Sequence, residues 1–123
     1  MKLLTHNMLT SHVKGVKNGF PLRILARKVE VRQIDFNPNF ITRMIPRIDW
    51  SVLRAAAENL GHGQGLPESP PEEYESQEDF LKSAHHVLME VEVLEGDLEC
   101  PESGRKFPVT EGIPNMLLRE DEV

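Results

Sequence analysis

The one cysteine of the chain, Cys100, sits in the run Leu98-Glu99-Cys100-Pro101-Glu102-Ser103-Gly104, flanked by strand-like segments as in a metal knuckle. A zinc knuckle places a second soft ligand three residues after the first. That residue here is Ser103, whose hydroxyl is a poor zinc donor at neutral pH. Cys100 with His6, His12 and a carboxylate could in principle supply four ligands, but no pair of them has familiar ligand spacing. The residues therefore favour a small buried thiol in a metal-free turn. A nucleophilic Cys100 would need a base within reach and a depressed pKa, whereas the neighbouring Glu99 and Glu102 are expected to raise it.

The remaining chemistry-bearing types are equally sparse. His85-His86 lies beside an apolar stripe, where one ring is expected to pack and the other to face solvent. Gly61-His62-Gly63-Gln64-Gly65 imitates a glycine fingerprint, yet it ends a helix and opens a loop instead of following a strand. There is no Ser-His-Asp ordering and no Walker loop, so no catalytic residue is assigned.

Apolar sequence is the more informative signal. Ile113-Pro114-Asn115-Met116-Leu117-Leu118 has too many apolar residues for a half-exposed strand, and Leu3 to Leu9 has the same surplus. Two readings stay open on pattern alone. The segments either complete the core or present a sheet edge and adaptable methionines to a partner.

The elements that must position these residues follow from periodicity and punctuation. Met1 to Leu9 suits a helical turn or a short strand, and Thr10 to Gly19 reads as a loop. Pro21 to Ala26 and Val29 to Ile34 alternate as two short strands. Asn37-Pro38 opens a helix carrying Phe40, Ile41, Met44 and Ile45, which Pro46 stops. Asp49 caps a second helix from Trp50 to Leu60, ended by Gly61. His62 to Tyr74, with Pro67, Pro70 and Pro71, is a long loop. Ser76 then caps a third helix with core positions Phe80, Leu81, Ala84, Val87, Leu88 and Val91. After it, Val91 to Cys100 reads as two strands around a Glu95-Gly96-Asp97 turn, Lys106 to Thr110 as another strand, and Arg119 to Val123 as a frayed acidic tail.

At 123 residues with a formal net charge of −6, the chain is one compact unit or two small lobes and should be repelled by a polyphosphate backbone. A local basic face built from Arg23, Arg27, Arg32 and Arg43 is the feature that would support RNA binding instead. One cysteine and a start broken by Thr5-His6-Asn7 point to an intracellular, reducing compartment, and no apolar run reaches the roughly 20 residues that span a bilayer.

Met1-Lys2-Leu3-Leu4-Thr5-His6-Asn7, Phe36-Asn37-Pro38-Asn39-Phe40, Asp49-Trp50, Leu98 to Val109 and Glu111 to Leu118 together closely resemble the eukaryotic multifunctional methyltransferase activator subunits, a small zinc-ribbon-like family first associated with tRNA methylation. The likeness runs from Met1 to the end. It implies an α+β fold: a zinc-ribbon-like small antiparallel sheet formed by both termini (residues 1–35 and 92–123), with an inserted helical lobe (residues 36–91). It implies a non-catalytic subunit that stabilises and activates several S-adenosylmethionine-dependent methyltransferases acting on ribosomal RNA, tRNA and the glutamine of a translation release factor.

The enzymes would bind as mutually exclusive heterodimers by strand addition and apolar contact, through Thr5, Asn7, Met8, Leu9, Phe40, Met44, Ile113, Pro114, Asn115, Met116 and Leu117. The cofactor would sit in the partner, RNA would be met only through the partner, no membrane is involved, and the setting would be cytoplasmic and nuclear. Fungal-type members carry four zinc cysteines, whose matching positions here are Ser11, Val16, Cys100 and Ser103. One ligand of four implies a metal-less, animal-type member held by packing. The competing readings are a small RNA-binding zinc-ribbon-like module and a thiol enzyme built on Cys100.

Overall fold

The computed structural model describes residues 1–123 throughout. Helix α1 (Leu3–Met8) precedes strand β1 (Arg23–Val31), and helices α2 (Pro38–Met44), α3 (Trp50–Asn59) and α4 (Glu78–His85) follow it. Strands β2 (Val91–Glu99), β3 (Lys106–Thr110) and β4 (Ile113–Pro114) complete a four-stranded sheet of order β1-β2-β3-β4, antiparallel at every pairing. The fold is α+β, as expected from the resemblance.

The helix punctuation works as the residue types require. Asn37 Oδ1 accepts from the Phe40 amide at 3.1 Å with Pro38 in the first turn, and Asp49 Oδ1 accepts from the Val52 amide at 3.2 Å. The third cap differs. Residues Tyr74–Ser76 wind into a 3-10 turn, the Ser76 hydroxyl donates back to Glu73 O at 2.9 Å, and Gln77 stands at the helix start without a side-chain cap. Helix α4 then continues as a π-helical turn, His86–Glu90, directly into β2.

Two expected breaks between strands are absent. β1 is one strand, and the break in its alternation marks an irregular register: Ala26 faces Gly96, Lys28 faces Glu95 and Val29 faces Val93, so Arg27 and Leu94 are skipped. The same irregularity carries β2 unbroken through Glu95-Gly96-Asp97. Gly96 is needed there for close approach, because a Cβ would lie 2.5 Å from Leu25 O and 3.0 Å from Ala26 Cα. The glycine that suggested a turn is instead a point of close approach between β1 and β2.

Helices and sheet share one contiguous core, in which Leu3, Ile41, Leu53 and Leu88 from the helical elements meet Val93, Leu98, Phe107 and Val109 from the strands. The start of the chain is stitched into the sheet: the Met1 amine donates to Val93 O at 2.7 Å, and Val93 N returns a bond to Met1 O at 2.9 Å. Burial holds that amine below its ordinary pKa of 8.0. The acidic end is also anchored and does not fray. Glu122 is 7% exposed, takes Arg105 Nε at 2.7 Å, and offers its backbone oxygen to Lys14 N at 2.7 Å. Hydrogen bonding from Arg105 holds its carboxyl down to about 2.

Candidate partner-docking edge

The two edges of the sheet are built differently. At β1, His6 Nε2 donates to Leu22 O at 2.8 Å and Asn59 Nδ2 donates to Ile24 O at 3.1 Å, so side chains of α1 and α3 occupy carbonyls that an added strand would need. Further along, Lys28, Glu30 and Arg32 form a charged row linked by ion pairs. Charges and occupied carbonyls both discourage strand addition. Burial pushes His6 below its usual pKa, opposed by its bond to Leu22, so the ring is neutral near pH 7 and acts as a fixed donor.

At β4 the edge is open. Only Ile113 and Pro114 pair with β3, opposite Thr110 and Val109, and Asn115 N extends the pairing to Pro108 O at 2.9 Å. No side chain bonds to the backbone of Ile113 through Met116, in contrast to the blocked carbonyls of β1. The hairpin is tight because Glu111 and Gly112 both adopt positive φ, 51° and 76°, the combination that suits a two-residue turn between antiparallel strands. A shallow groove of about 580 Å³ runs along Thr110, Ile113, Asn115 and Leu117. Ile113 is 67% exposed and Leu117 79% exposed. Apolar side chains beside unpaired extended backbone are what an incoming strand would bury.

The N-terminal helix reaches the same end of the sheet. A Cβ on Gly112 would lie 3.2 Å from the Met1 nitrogen, so the β3–β4 turn and the residue two before α1 are in contact. On α1, Thr5 and Met8 face solvent, Met8 at 58%, and the following Leu9 is half-buried. Asn7 is turned inward: its amide bonds to both Asp49 O and Asp49 N at 2.9 Å, which clamps α1 against the start of α3. Phe40 and Met44 lie half-buried on α2, with Phe40 beside Ile34, His85 and Met89 around a small cavity of about 190 Å³. Pro114 and Met116 are half-buried and Asn115 is exposed.

The knuckle residues are brought together without making a metal site. Cys100 and Ser11 are buried, Ser103 N donates to Cys100 Sγ at 3.4 Å, and Val16 packs against the core. One thiol, two hydroxyls and a valine do not fit a zinc ion, and no cluster of three or more His, Cys, Asp or Glu stands elsewhere. A carboxylate does the crosslinking instead. Glu102 accepts from Lys17 N at 3.2 Å and Asn18 N at 3.0 Å, tying loop 10–19 to the knuckle.

The same geometry corrects the expected thiol chemistry. Burial works to raise the Cys100 pKa, but hydrogen bonding from Ser103, Ser11 and the local backbone outweighs it and holds the thiol at about 7. The acids expected to raise it are turned away, Glu99 to Arg23 at 3.0 Å and Glu102 to the loop amides. With no exposed surface, the sulfur still lacks the access a nucleophile requires.

Three of the four arginines that would serve RNA are engaged, whereas Arg43 on α2 is exposed and forms no ion pair. Arg23 pairs with Glu99 at 3.0 Å, Arg27 with Asp97 at 2.8 Å, and Arg32 with Glu92 at 3.5 Å. Cross-strand pairing neutralises the basic side of β1. Sequence spacing did not expose the roles of Glu102, His6 and Asn59, since each acts on a backbone group distant in the chain.

Comparison with known proteins converges on one family. The Trm112p-like protein family matches residues 2–112. The multifunctional methyltransferase subunit TRM112-like protein of Bos taurus is 56% identical, covering 99% of this chain and 98% of its own. The TRM112 homolog A of Arabidopsis thaliana is 53% identical over the whole of both chains, and the Saccharomyces cerevisiae subunit TRM112 is 32% identical over 96% of each. Among solved structures, a chain of the E. cuniculi Mtq2–Trm112 complex, described as responsible for methylation of the eRF1 translation termination factor, superimposes with a TM-score of 0.57 at 22% identity, covering 95% of both chains.

Proposed function

The chain belongs to the Trm112p-like family, and from that premise we propose that it is a non-catalytic subunit that stabilises and activates S-adenosylmethionine-dependent methyltransferases by adding their sheet to its β4 edge. The observation that carries this reading is the asymmetry of the sheet. One edge is blocked by His6, Asn59 and charges, and the other is open, extended and apolar. An enzyme strand laid along Ile113 to Met116 gains main-chain hydrogen bonds from the edge, while Ile113 and Leu117 cover apolar surface on the enzyme. The subunit contributes no reacting group. Its effect is to keep an apolar enzyme surface out of water, which stabilises the folded enzyme by mass action and keeps it competent to bind cofactor.

Enzymes acting on tRNA, ribosomal RNA and a translation release factor are the proposed partners, sharing one edge and therefore excluding one another. The contact set combines Thr5, Met8 and Leu9 with Ile113 to Leu117, while Asn7 positions α1. Phe40 and Met44 would extend it along α2. A subunit serving these substrates works in cytoplasm and nucleus. Coexpression tests the reading: a catalytic subunit that is insoluble or inactive alone should become soluble and active with this chain. Unchanged solubility and methyl transfer for every such enzyme would overturn it.

A further inference from the structure

A second site lies among the helices, away from β4. His62 follows Gly61, which holds φ at 81°, and is fixed by its own N–H to Ala57 O at 2.8 Å; His86 opens the π-helical turn after α4. The two rings meet in a hydrogen bond, His86 Nε2 and His62 Nδ1 standing 3.4 Å apart. Imidazole nitrogens bound at about 2.0–2.1 Å to one tetrahedral ion stand about 3.4 Å from each other, the separation this pair already has, so an ion can replace the shared proton without moving the rings apart.

The other nitrogen of His86 supplies the supporting contact. His86 Nδ1 lies 3.0 Å from Glu90 Oε1, and a carboxylate can only accept, so the proton is on Nδ1 and Nε2 carries a lone pair. Glu90 is itself held by the Ile34 amide at 3.1 Å. A carboxylate fixing the far nitrogen of a ligating histidine orients the ring and makes it a better donor.

We propose that His62 and His86 bind a divalent cation of borderline softness, of the zinc or nickel class, with Glu90 as the positioning residue. Binding requires the His62 proton to sit on Nε2 rather than Nδ1, a tautomer change at a half-buried ring that leaves its charge unaltered. No third His, Cys, Asp or Glu completes the set, so water fills the other positions and the ion exchanges readily. The ion would join the proline-containing loop after α3 to the end of α4. Neither histidine belongs to the docking edge, so the site stands or falls independently of partner binding.

The test uses the full chain, freed of metal with a chelator and titrated with Zn²⁺ and separately Ni²⁺ by calorimetry, with histidine ¹⁵N spectra recorded alongside. The expected result is one ion per chain, with the His62 and His86 ring resonances shifting. Affinity should fall at least tenfold in His62→Ala and in His86→Ala, and about ten- to a hundredfold in Glu90→Gln. Cys100→Ser should bind as the original chain does. His62 lies on a loop, so its variant keeps the test valid even if His86→Ala misfolds. Absence of binding, or binding that survives His62→Ala with unshifted His86 resonances, would overturn the proposal.

Discussion

Placing aspartate at Ile113 is the sharpest test of the open edge. In the free chain Ile113 is 67% exposed, so about two thirds of its side chain remains for a partner to bury. Full burial of an isoleucine contributes about 1.5–3 kcal/mol, which leaves about 1–2 kcal/mol for the complex and predicts a roughly five- to thirtyfold weaker Kd for Ile113→Ala. Ile113→Asp adds an unpaired charge to the buried contact, which costs about 3 kcal/mol or more, so binding should weaken upward of a hundredfold. Free-chain stability should shift by no more than about 0.5 kcal/mol, as for other exposed positions. Calorimetric titration of a purified catalytic methyltransferase subunit measures the first effect, and thermal unfolding of the isolated variant measures the second. Leu25→Asp, on the blocked β1 edge where Leu25 is 41% exposed, is the matched control and should leave affinity unchanged. The reasoning fails if Ile113→Asp binds like the original chain with its fold intact, or if Leu25→Asp is equally damaging.

Three further outcomes follow from other contacts. Glu102→Ala should free loop 10–19 and speed amide hydrogen exchange at Lys17 and Asn18, at a stability cost of about 1 kcal/mol because these bonds are solvent-exposed; Glu102→Gln, which keeps an acceptor, should lose less. Gly96→Ala should destabilise by about 1–3 kcal/mol in denaturant unfolding, since its Cβ would meet Leu25 O at 2.5 Å, and a neutral result would contradict the close approach of β1 and β2. The Glu122 carboxyl is depressed from an ordinary 4.5 to about 2, so its anchoring contribution is fully present above about pH 4.5 and is lost as pH falls through about 2. An NMR titration following the Lys14 amide and the Arg105 Nε–H should show both released together over that window, whereas release at pH 4.5 would refute the clamp.

Local chemistry made much of this protein legible in one dimension. Asn37-Pro38 and Asp49 mark helix starts because a side-chain oxygen satisfies an amide only three residues away, and the misfit of Cys100 and Ser103 to a zinc ion follows from donor softness alone. The surplus of apolar residues from Ile113 to Leu118 was likewise visible, since a small sheet cannot hide so many. What stayed hidden depends on groups far apart in the chain. Gly96 looks like a turn residue until β1 is laid against it, and Cys100 seems surrounded by acids until Arg23 and the Lys17 and Asn18 amides draw them away. Whether the Ile113 segment completes the core or faces outward was undecidable from pattern, because both uses require the same side chains. Only the tertiary structure decided it: His6 and Asn59 cross to block one edge of the sheet, the β3–β4 turn closes beside Met1, and Ile113 is left on the edge that nothing within the chain covers.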